Sequence, residues 1–176
     1  MKYYYLIAGL PTLSLDDAGS AAPPSIDQFR ETCRGWLSSR EFTTVEEVLG
    51  DREVSSETPF LAEWRSRETQ LRNAVVRQRA ARLNLDAEPF MREHGSFDSY
   101  TEKFVINTFS RPSPLDREME LDRYRWKTAD DLAGFDLFSL SGLLSYALKL
   151  RMVHRWARMN DAHGQAKLEE LAGARS

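Results

Sequence analysis

The sequence predicts an all-α protein, an elongated multi-helix bundle with a long buried C-terminal helix. The first observation is that apolar residues recur at helical spacing in several segments, each introduced by capping residues. The second is that apolar side chains cover almost the whole circumference of a predicted helix in the last third of the chain: Leu140, Leu143, Leu144, Tyr146, Ala147, Leu150, Met152, Val153, Trp156 and Met159. A helix that is apolar on all sides is buried, so other helices must surround it.

The N-terminal part of the chain predicts two helices after a short apolar segment. Residues 3–10 are too few for periodicity to distinguish a buried strand from the first turns of a helix. Ser25, with Gln28 three residues later, forms a capping box that starts a helix. The apolar positions of that helix are Ile26, Phe29, Cys33, Trp36 and Leu37. A second, short helix is marked by Thr44 and Glu47 and stops near Gly50.

The middle of the chain predicts one long helix and one shorter helix. Thr58 followed by Pro59 is a strong helix start, because a capping hydroxyl precedes a proline at the first helical position. The helix continues to near Asn84, and residues 99–109 predict the shorter helix. The apolar face of the long helix is predicted to contain Phe60, Trp64, Leu71, Ala74, Val75, Gln78 and Ala81.

Two further helices follow a proline-rich break. The sequence Arg-Pro-Ser-Pro begins at Arg111, and Ser113 with Pro114 repeats the combination of cap and proline that starts a helix. Gly134 ends that helix. Its face contains Leu115, Met119, Asp122, Trp126 and Ala129. The buried helix over residues 136–160 is expected to be the central element of the core.

The domain organisation predicted from the sequence is a single helical domain over residues 1–176. The alternative is a pair of sub-bundles, 1–111 and 112–176, that meet at the proline-rich break. No long linker, internal repeat or low-complexity tract separates the two parts.

Composition and charge exclude several classes of protein. The net charge is −3, so the chain lacks the global basic field of many nucleic-acid-binding or membrane-surface proteins. The only cysteine is Cys33, which excludes an intrachain disulfide and indicates a reducing, cytoplasmic setting. No window has the roughly 18 apolar residues of a membrane span. Pro11 and the acidic residues that follow it disfavour a signal peptide.

No constellation of residues predicts catalysis. The three histidines, His94, His154 and His163, form no metal-binding pair one helical turn apart. Cys33 lies on an apolar helix face without an activating neighbour, which indicates an inert buried thiol. The chain also lacks a glycine-rich phosphate loop. We therefore expect no catalytic residue, cofactor, metal ligand or enzymatic activity.

One pair of carboxylates has a spacing compatible with joint action. Glu118 and Asp122 lie one helical turn apart and could act together in acid–base chemistry. Arg117, Arg123 and Arg125 surround them, so a salt-bridged helix face is the favoured interpretation.

Arginines give the long helix its most unusual feature. Arg65, Arg72 and Arg79, which we call the arginine stripe, follow one another at seven-residue spacing beside the apolar face and are the candidate contact for a partner. Internal salt bridges are the favoured interpretation, an acidic partner surface is second, and nucleic acid is third. Arg67 and Arg82 fall within the apolar arc, so each is expected to reach a carboxylate or the carbonyls of a helix end.

Three stretches of the chain resemble a known family. They are residues 3–17, which begin Tyr-Tyr-Tyr-Leu-Ile-Ala-Gly-Leu-Pro, residues 112–126, and residues 146–164. Together they resemble a small uncharacterised bacterial family encoded beside V-type ATPase subunits. The last stretch is also similar to the C/d subunit of these rotary ATPases, whose helical bundles form a funnel that seats the central stalk. This chain is about half as long as a C/d subunit and is not expected to complete that funnel.

The resemblance implies a function that the residues alone do not. It implies a non-catalytic component that binds V-type ATPase subunits in an assembly or stalk-socket-like role. The location would be cytoplasmic, peripheral to the membrane through the ATPase complex, without binding of nucleic acid. The family pattern has no catalytic residues to transfer to this chain. The alternative is a small helical nucleic-acid-binding or regulatory module that uses the arginine-rich helix face.

Overall fold

The computed structural model describes residues 2–15, 22–50, 58–95 and 97–160, and these residues form seven α-helices and no strand. The all-α prediction is confirmed. The helices are α1 (Lys2–Ala8), α2 (Ile26–Trp36), α3 (Ser39–Leu49), α4 (Pro59–Leu83), α5 (Ser99–Phe109), α6 (Pro114–Ala133) and α7 (Leu140–Asn160). A short 3-10 helix, Glu88–Phe90, lies between α4 and α5.

Capping residues start α2, α4 and α6 where the sequence predicts. Ser25 and Gln28 form both hydrogen bonds of a capping box on α2. The hydroxyls of Thr58 and Ser113 accept backbone N–H groups at the starts of α4 and α6. After the last turn of α4, Asn84 takes the left-handed conformation, with φ of 53°. These boundaries are set by local hydrogen bonds, which explains why the sequence predicts them.

The structure decides the conformation of the first apolar segment and shifts the start of α3. The apolar segment left open between strand and helix is helical, as α1. The second short helix begins at Ser39, before Thr44, because Ser38 and Glu41 form a capping box there. Gly50 ends it as predicted.

The chain divides into two compact units. The first unit contains Met1–Glu53 and Leu137–Ser176, and the second contains Val54–Asp136. The predicted sub-bundle boundary at residues 111 and 112 falls inside the second unit, because the proline-rich turn joins α5 to α6 and both helices pack on α4. A single domain over residues 1–176 stays a prediction.

In the first unit, α7 is the central helix. Leu143, Leu144, Ala147 and Leu150 are fully buried, and α7 packs against α3 and α1. Its polar side chains bind backbone carbonyls of other segments: Tyr146 donates to Pro11, Arg151 to Val48 and His154 to Pro24, over 2.7–3.0 Å. The predicted buried C-terminal helix is thus confirmed.

The start of α7 is corrected from residue 136 to Leu140. Leu137 and Phe138 form a turn, and Ser139 accepts the N–H groups of Gly142 and Leu143. The turn packs so closely that a Cβ at Gly142 would overlap with the carbonyl oxygen of Leu137. Glycine is therefore required at this position.

In the second unit, α5 runs parallel to α4 and α6 runs antiparallel to it. The N-cap of α5, Asp98, binds Gln70, and the last residue of α5, Phe109, binds Arg82. On α6, in contrast, Glu118 pairs with Arg79 and Arg125 pairs with Glu68. The core between the three helices contains Leu71, Ala74, Val75, Val105, Phe109 and Leu121.

Shortening a leucine in the centre of α7 should destabilise the protein strongly. We expect Leu143→Ala and Leu150→Ala each to lower the free energy of unfolding by about 2–5 kcal/mol, because a cavity replaces a fully buried side chain. Met159→Ala, at an exposed position on the same helix, should change it by less than about 1 kcal/mol. Denaturant unfolding measures both. A negligible effect of both leucine variants would contradict a central position for α7.

Gly142→Ala should destabilise the protein even though alanine is the better helix former. The new methyl group meets the Leu137 carbonyl, so we expect a loss of about 1–3 kcal/mol. Gly35→Ala on α2 is the matched control, because a Cβ there meets no atom within 4 Å. That variant should gain up to about 1 kcal/mol from helix propensity. Equal effects of the two substitutions on thermal unfolding would refute the close approach.

Candidate protein-binding surface

The described residues contain no group of three His, Cys, Asp or Glu side chains arranged to hold a metal ion. His154 contacts the Pro24 carbonyl over 2.8 Å and thereby connects α7 to the segment before α2. Because a carbonyl only accepts, the imidazole donates through Nε2. His94 is half-buried, and His163 lies outside the described residues.

Cys33 is fully buried on α2. Burial, assisted by the negative charge of Glu46, raises the pKa of its thiol to about 12. Since the thiolate is the reactive form of cysteine, this thiol is a poor nucleophile at neutral pH. The structure therefore gives Cys33 the role of a core side chain.

The arginine stripe lies on the side of α4 that faces α6. Arg72 pairs with Glu68 over 2.7 Å, and Arg79 pairs with Glu118 of α6 over 3.7 Å. The side chains of Arg72 and Arg79 are more than 60% exposed, whereas Arg65 is half-buried. Two of the three positive charges are thus already balanced by carboxylates of the chain itself.

A buried ionic network lies beside the stripe. Arg125 of α6 makes two hydrogen bonds to Glu68 of α4, over 2.9 and 3.1 Å, and a third to Asp122 over 2.8 Å. Asp122 is 1% exposed. Burial alone would lower the pKa of Arg125, but the two carboxylates outweigh it and raise that pKa. Asp122 thus pairs with Arg125 on α6, whereas Glu118 pairs with Arg79 of α4 and Arg117 donates to backbone carbonyls of residues 111 and 112.

Arg67 and Arg82 make the contacts predicted for them. Arg67 pairs with Glu63 one turn earlier over 2.9 Å. Arg82 donates to the carbonyl of Phe109, at the C-terminal end of α5, and its guanidinium lies 5.1 Å from the centre of the Phe109 ring. A helix end and an aromatic face both favour a positive charge.

In the described part of the first unit, four exposed aromatic side chains form a chain of ring contacts, which we call the aromatic cluster: Tyr4, Tyr5, Trp36 and Phe138. The ring centres of Tyr4 and Phe138 are 4.8 Å apart, those of Tyr4 and Tyr5 5.6 Å, and those of Tyr5 and Trp36 6.2 Å. Each residue remains 42–59% exposed. The sequence did not reveal this cluster, and its periodicity placed Trp36 among the apolar positions of α2.

Buried neighbours hold the aromatic cluster in place. Leu6 anchors α1 in the core, and the Tyr3 hydroxyl donates to Glu41 of α3. Burial, together with this carboxylate, raises the pKa of Tyr3 to about 12. The close turn before Gly142 brings Phe138 against Tyr4. The exposed rings are therefore carried by a fixed backbone.

In the second unit, the connection between α4 and α5 is fixed by two buried amides that the sequence did not reveal either. We call residues 85–95 with 97 and 98 the strap. Asn73 donates to the carbonyl of Arg92 over 2.6 Å and accepts its N–H over 3.0 Å. Gln70 makes the same pair of bonds, over 2.6 and 3.0 Å, with Asp98. Ser66 accepts the N–H of Gly95.

Comparison with known proteins gives one family. Residues 96–174 match the model of DUF2764, a protein family of unknown function. The match covers less than half of the chain and includes α5, α6 and α7. No curated protein and no solved structure matches the chain. In the part of the chain that the structure describes, every helix falls short of the length and apolarity that a membrane crossing requires.

Removing Arg125 should be far more damaging than removing an arginine of the stripe. Arg125→Ala leaves Asp122 buried without its guanidinium, so we expect a loss of about 3–5 kcal/mol in the free energy of unfolding. Arg72→Ala is the matched control, because it removes an exposed partner of the same Glu68 and should cost less than about 1 kcal/mol. Similar unfolding midpoints for the two variants would contradict this ranking.

Proposed function

We propose that this chain is a non-catalytic protein-binding component whose partner is a subunit of a V-type rotary ATPase. The observation that carries the binding role is the aromatic cluster, in which four touching rings remain about half exposed. Isolated apolar residues are common on surfaces, but contiguous patches are typical of interaction sites. Tyrosine and tryptophan are also the residues most enriched among binding hot spots.

The nature of the partner is supported by the resemblance alone. Residues 3–17 and 146–164, two of the stretches that carry it, include Tyr4 and Tyr5 of the aromatic cluster and most of α7. The proposed location is cytoplasmic, at the membrane surface through the ATPase complex. An assembly or stalk-socket-like role fits a small helical protein that offers a binding surface.

The arginine stripe is the second candidate contact for the same partner. Its exposed members, Arg72 and Arg79, are paired with Glu68 and Glu118, so binding an acidic surface would have to compete with those carboxylates. The same pairing weakens the case for the alternative, a nucleic-acid-binding or regulatory module. Phosphate contacts require cations whose charge is available to the nucleic acid.

Co-purification with the rotary ATPase tests the proposal. The tagged wild-type chain should retain ATPase subunits, and the double variant Tyr5→Ala/Trp36→Ala should retain at least about tenfold less, the effect of losing more than about 1.4 kcal/mol of binding energy. Phe135→Ala, which removes an exposed ring from the second unit, is the control and should bind normally. Charge reversal of Arg65, Arg72 and Arg79 together tests the stripe separately.

Each outcome has a defined meaning. Circular dichroism must show unchanged helical content in every variant. Retention of ATPase subunits by the double aromatic variant would remove the aromatic cluster as the contact, and unaltered retention by the charge-reversed variant would remove the stripe. If the wild-type chain retains no ATPase subunit, the proposed partner is wrong. ATPase, nuclease or hydrolase turnover by the purified chain would overturn the non-catalytic role.

A further inference from the structure

The strap is attached to the second unit differently from the helices. None of its described side chains is buried, and Phe90 and Phe97 are more than 60% exposed. Its attachment is mainly through its backbone, which binds Ser66, Gln70 and Asn73 of α4. Arg77 of α4 adds one side-chain contact, to the sulfur of Met91. A segment held by hydrogen bonds, without buried apolar contacts, belongs to the parts of a protein that open locally.

The surface of α4 beneath the strap has a defined chemistry. Ser66, Gln70, Asn73 and Arg77 follow one another at spacings of three or four residues and therefore share one face. The amides of Gln70 and Asn73 each bind the N–H and the carbonyl of a single strap residue. This pairing recognises an extended backbone and is indifferent to the side chain that the residue carries.

From these two observations we propose that the Ser66–Gln70–Asn73–Arg77 face of α4 is a binding site for an extended polypeptide segment of a partner protein, occupied in the closed state by the strap. The strap is the chain's own ligand for this site. Opening it exposes the Gln70 and Asn73 amides to water, and an incoming extended segment takes over the four hydrogen bonds that the strap made with them. This site belongs to the second unit and is independent of the aromatic cluster.

Tethering makes the strap a strong competitor. A covalently attached segment competes at a high effective concentration. The apparent affinity for a partner is therefore the intrinsic affinity multiplied by the small fraction of molecules whose strap is open. A variant that weakens the strap while leaving α4 intact should therefore bind a peptide more tightly. Arg92→Pro is suited to this purpose because it removes the N–H that Asn73 accepts. The extended conformation of Met91, with φ of −85° and ψ of 154°, is compatible with a following proline.

The binding experiment uses a fluorescent peptide with the sequence of residues 85–98. Fluorescence anisotropy should show binding to Arg92→Pro at least about tenfold tighter than to Arg92→Ala, which keeps the backbone N–H. Adding Asn73→Leu to the proline variant should abolish the gain, and so should N-methylation of the peptide at Arg92. Equal affinities for the proline and alanine variants would overturn the proposal. Loss of the helical fold in Arg92→Pro would also overturn it, since the strap would then be inseparable from the bundle.

Hydrogen exchange of the wild-type chain provides a second test that needs no variant. The amide hydrogens of Arg92, Gly95 and Asp98 report on the strap because each donates to a side chain of α4. They should exchange at least about tenfold faster than the core amides of Leu71 and Val75, through an opening with little dependence on denaturant. If the strap amides exchange at the rate of those core amides, the strap opens only with global unfolding and the proposal fails.

Discussion

The arrangement of the second unit depends on how the chain returns along α4. Because α5 runs parallel to α4, the connection between them must travel back almost half the length of α4 before α5 can begin. An irregular segment on a helix leaves backbone N–H and carbonyl groups that need partners. Gln70 and Asn73 supply four such partners from buried positions. Each amide nitrogen and each amide oxygen has a partner in the strap, which makes burial of these polar groups tolerable. We call these four hydrogen bonds, from Gln70 to Asp98 and from Asn73 to Arg92, the clasp, and the position of Asp98, and hence the start of α5, follows from it.

The opposite side of α4 is organised by charge. Glu68 accepts hydrogen bonds from Arg125 of α6 as well as from Arg72 of its own helix, and Asp122 completes the network from a buried position. Two charges removed from water contribute little net stability, but a buried charge deprived of its partner is strongly unfavourable. The network therefore selects one register of α6 on α4 and penalises others. Apolar packing of Leu71, Val75 and Leu121 accommodates sliding more readily than these directional bonds do.

The features that the sequence predicted correctly are those determined within a few residues of the chain. The capping box of Ser25, the hydroxyl of Thr58 and the glycine at position 134 define helix ends through local hydrogen bonds or local backbone geometry. The clasp was not predictable in this way, because Asn73 and Arg92 are 19 residues apart. In the sequence of a helix, an asparagine that binds a distant segment cannot be distinguished from one that is exposed to water. The start of α7 was misplaced for the related reason that the turn at Leu137 depends on its contact with Gly142. For the candidate site, periodicity identified the arginine stripe but assigned Trp36 to the apolar positions of α2, since spacing cannot distinguish a core ring from an exposed one.

The aromatic cluster differs from the arginine stripe and from the clasp because its exposed surface does not pair charged or polar groups of the fold. Arg72 and Arg79 of the stripe have carboxylate partners, and the amides of Gln70 and Asn73 have backbone partners. The rings of Tyr5 and Trp36 stack on each other, yet each leaves about half of its surface in water. Burying those rings would be favourable by about 25 cal/mol for each Å² of apolar surface removed from water. Leu6, Tyr3 and Gly142 already hold the backbone that carries Tyr4, Tyr5 and Phe138, so a partner that covers these rings needs to order little further backbone. A fixed apolar surface of this kind gains more from a partner than the flexible, internally paired arginines do, and this difference ranks the cluster above the stripe as the contact.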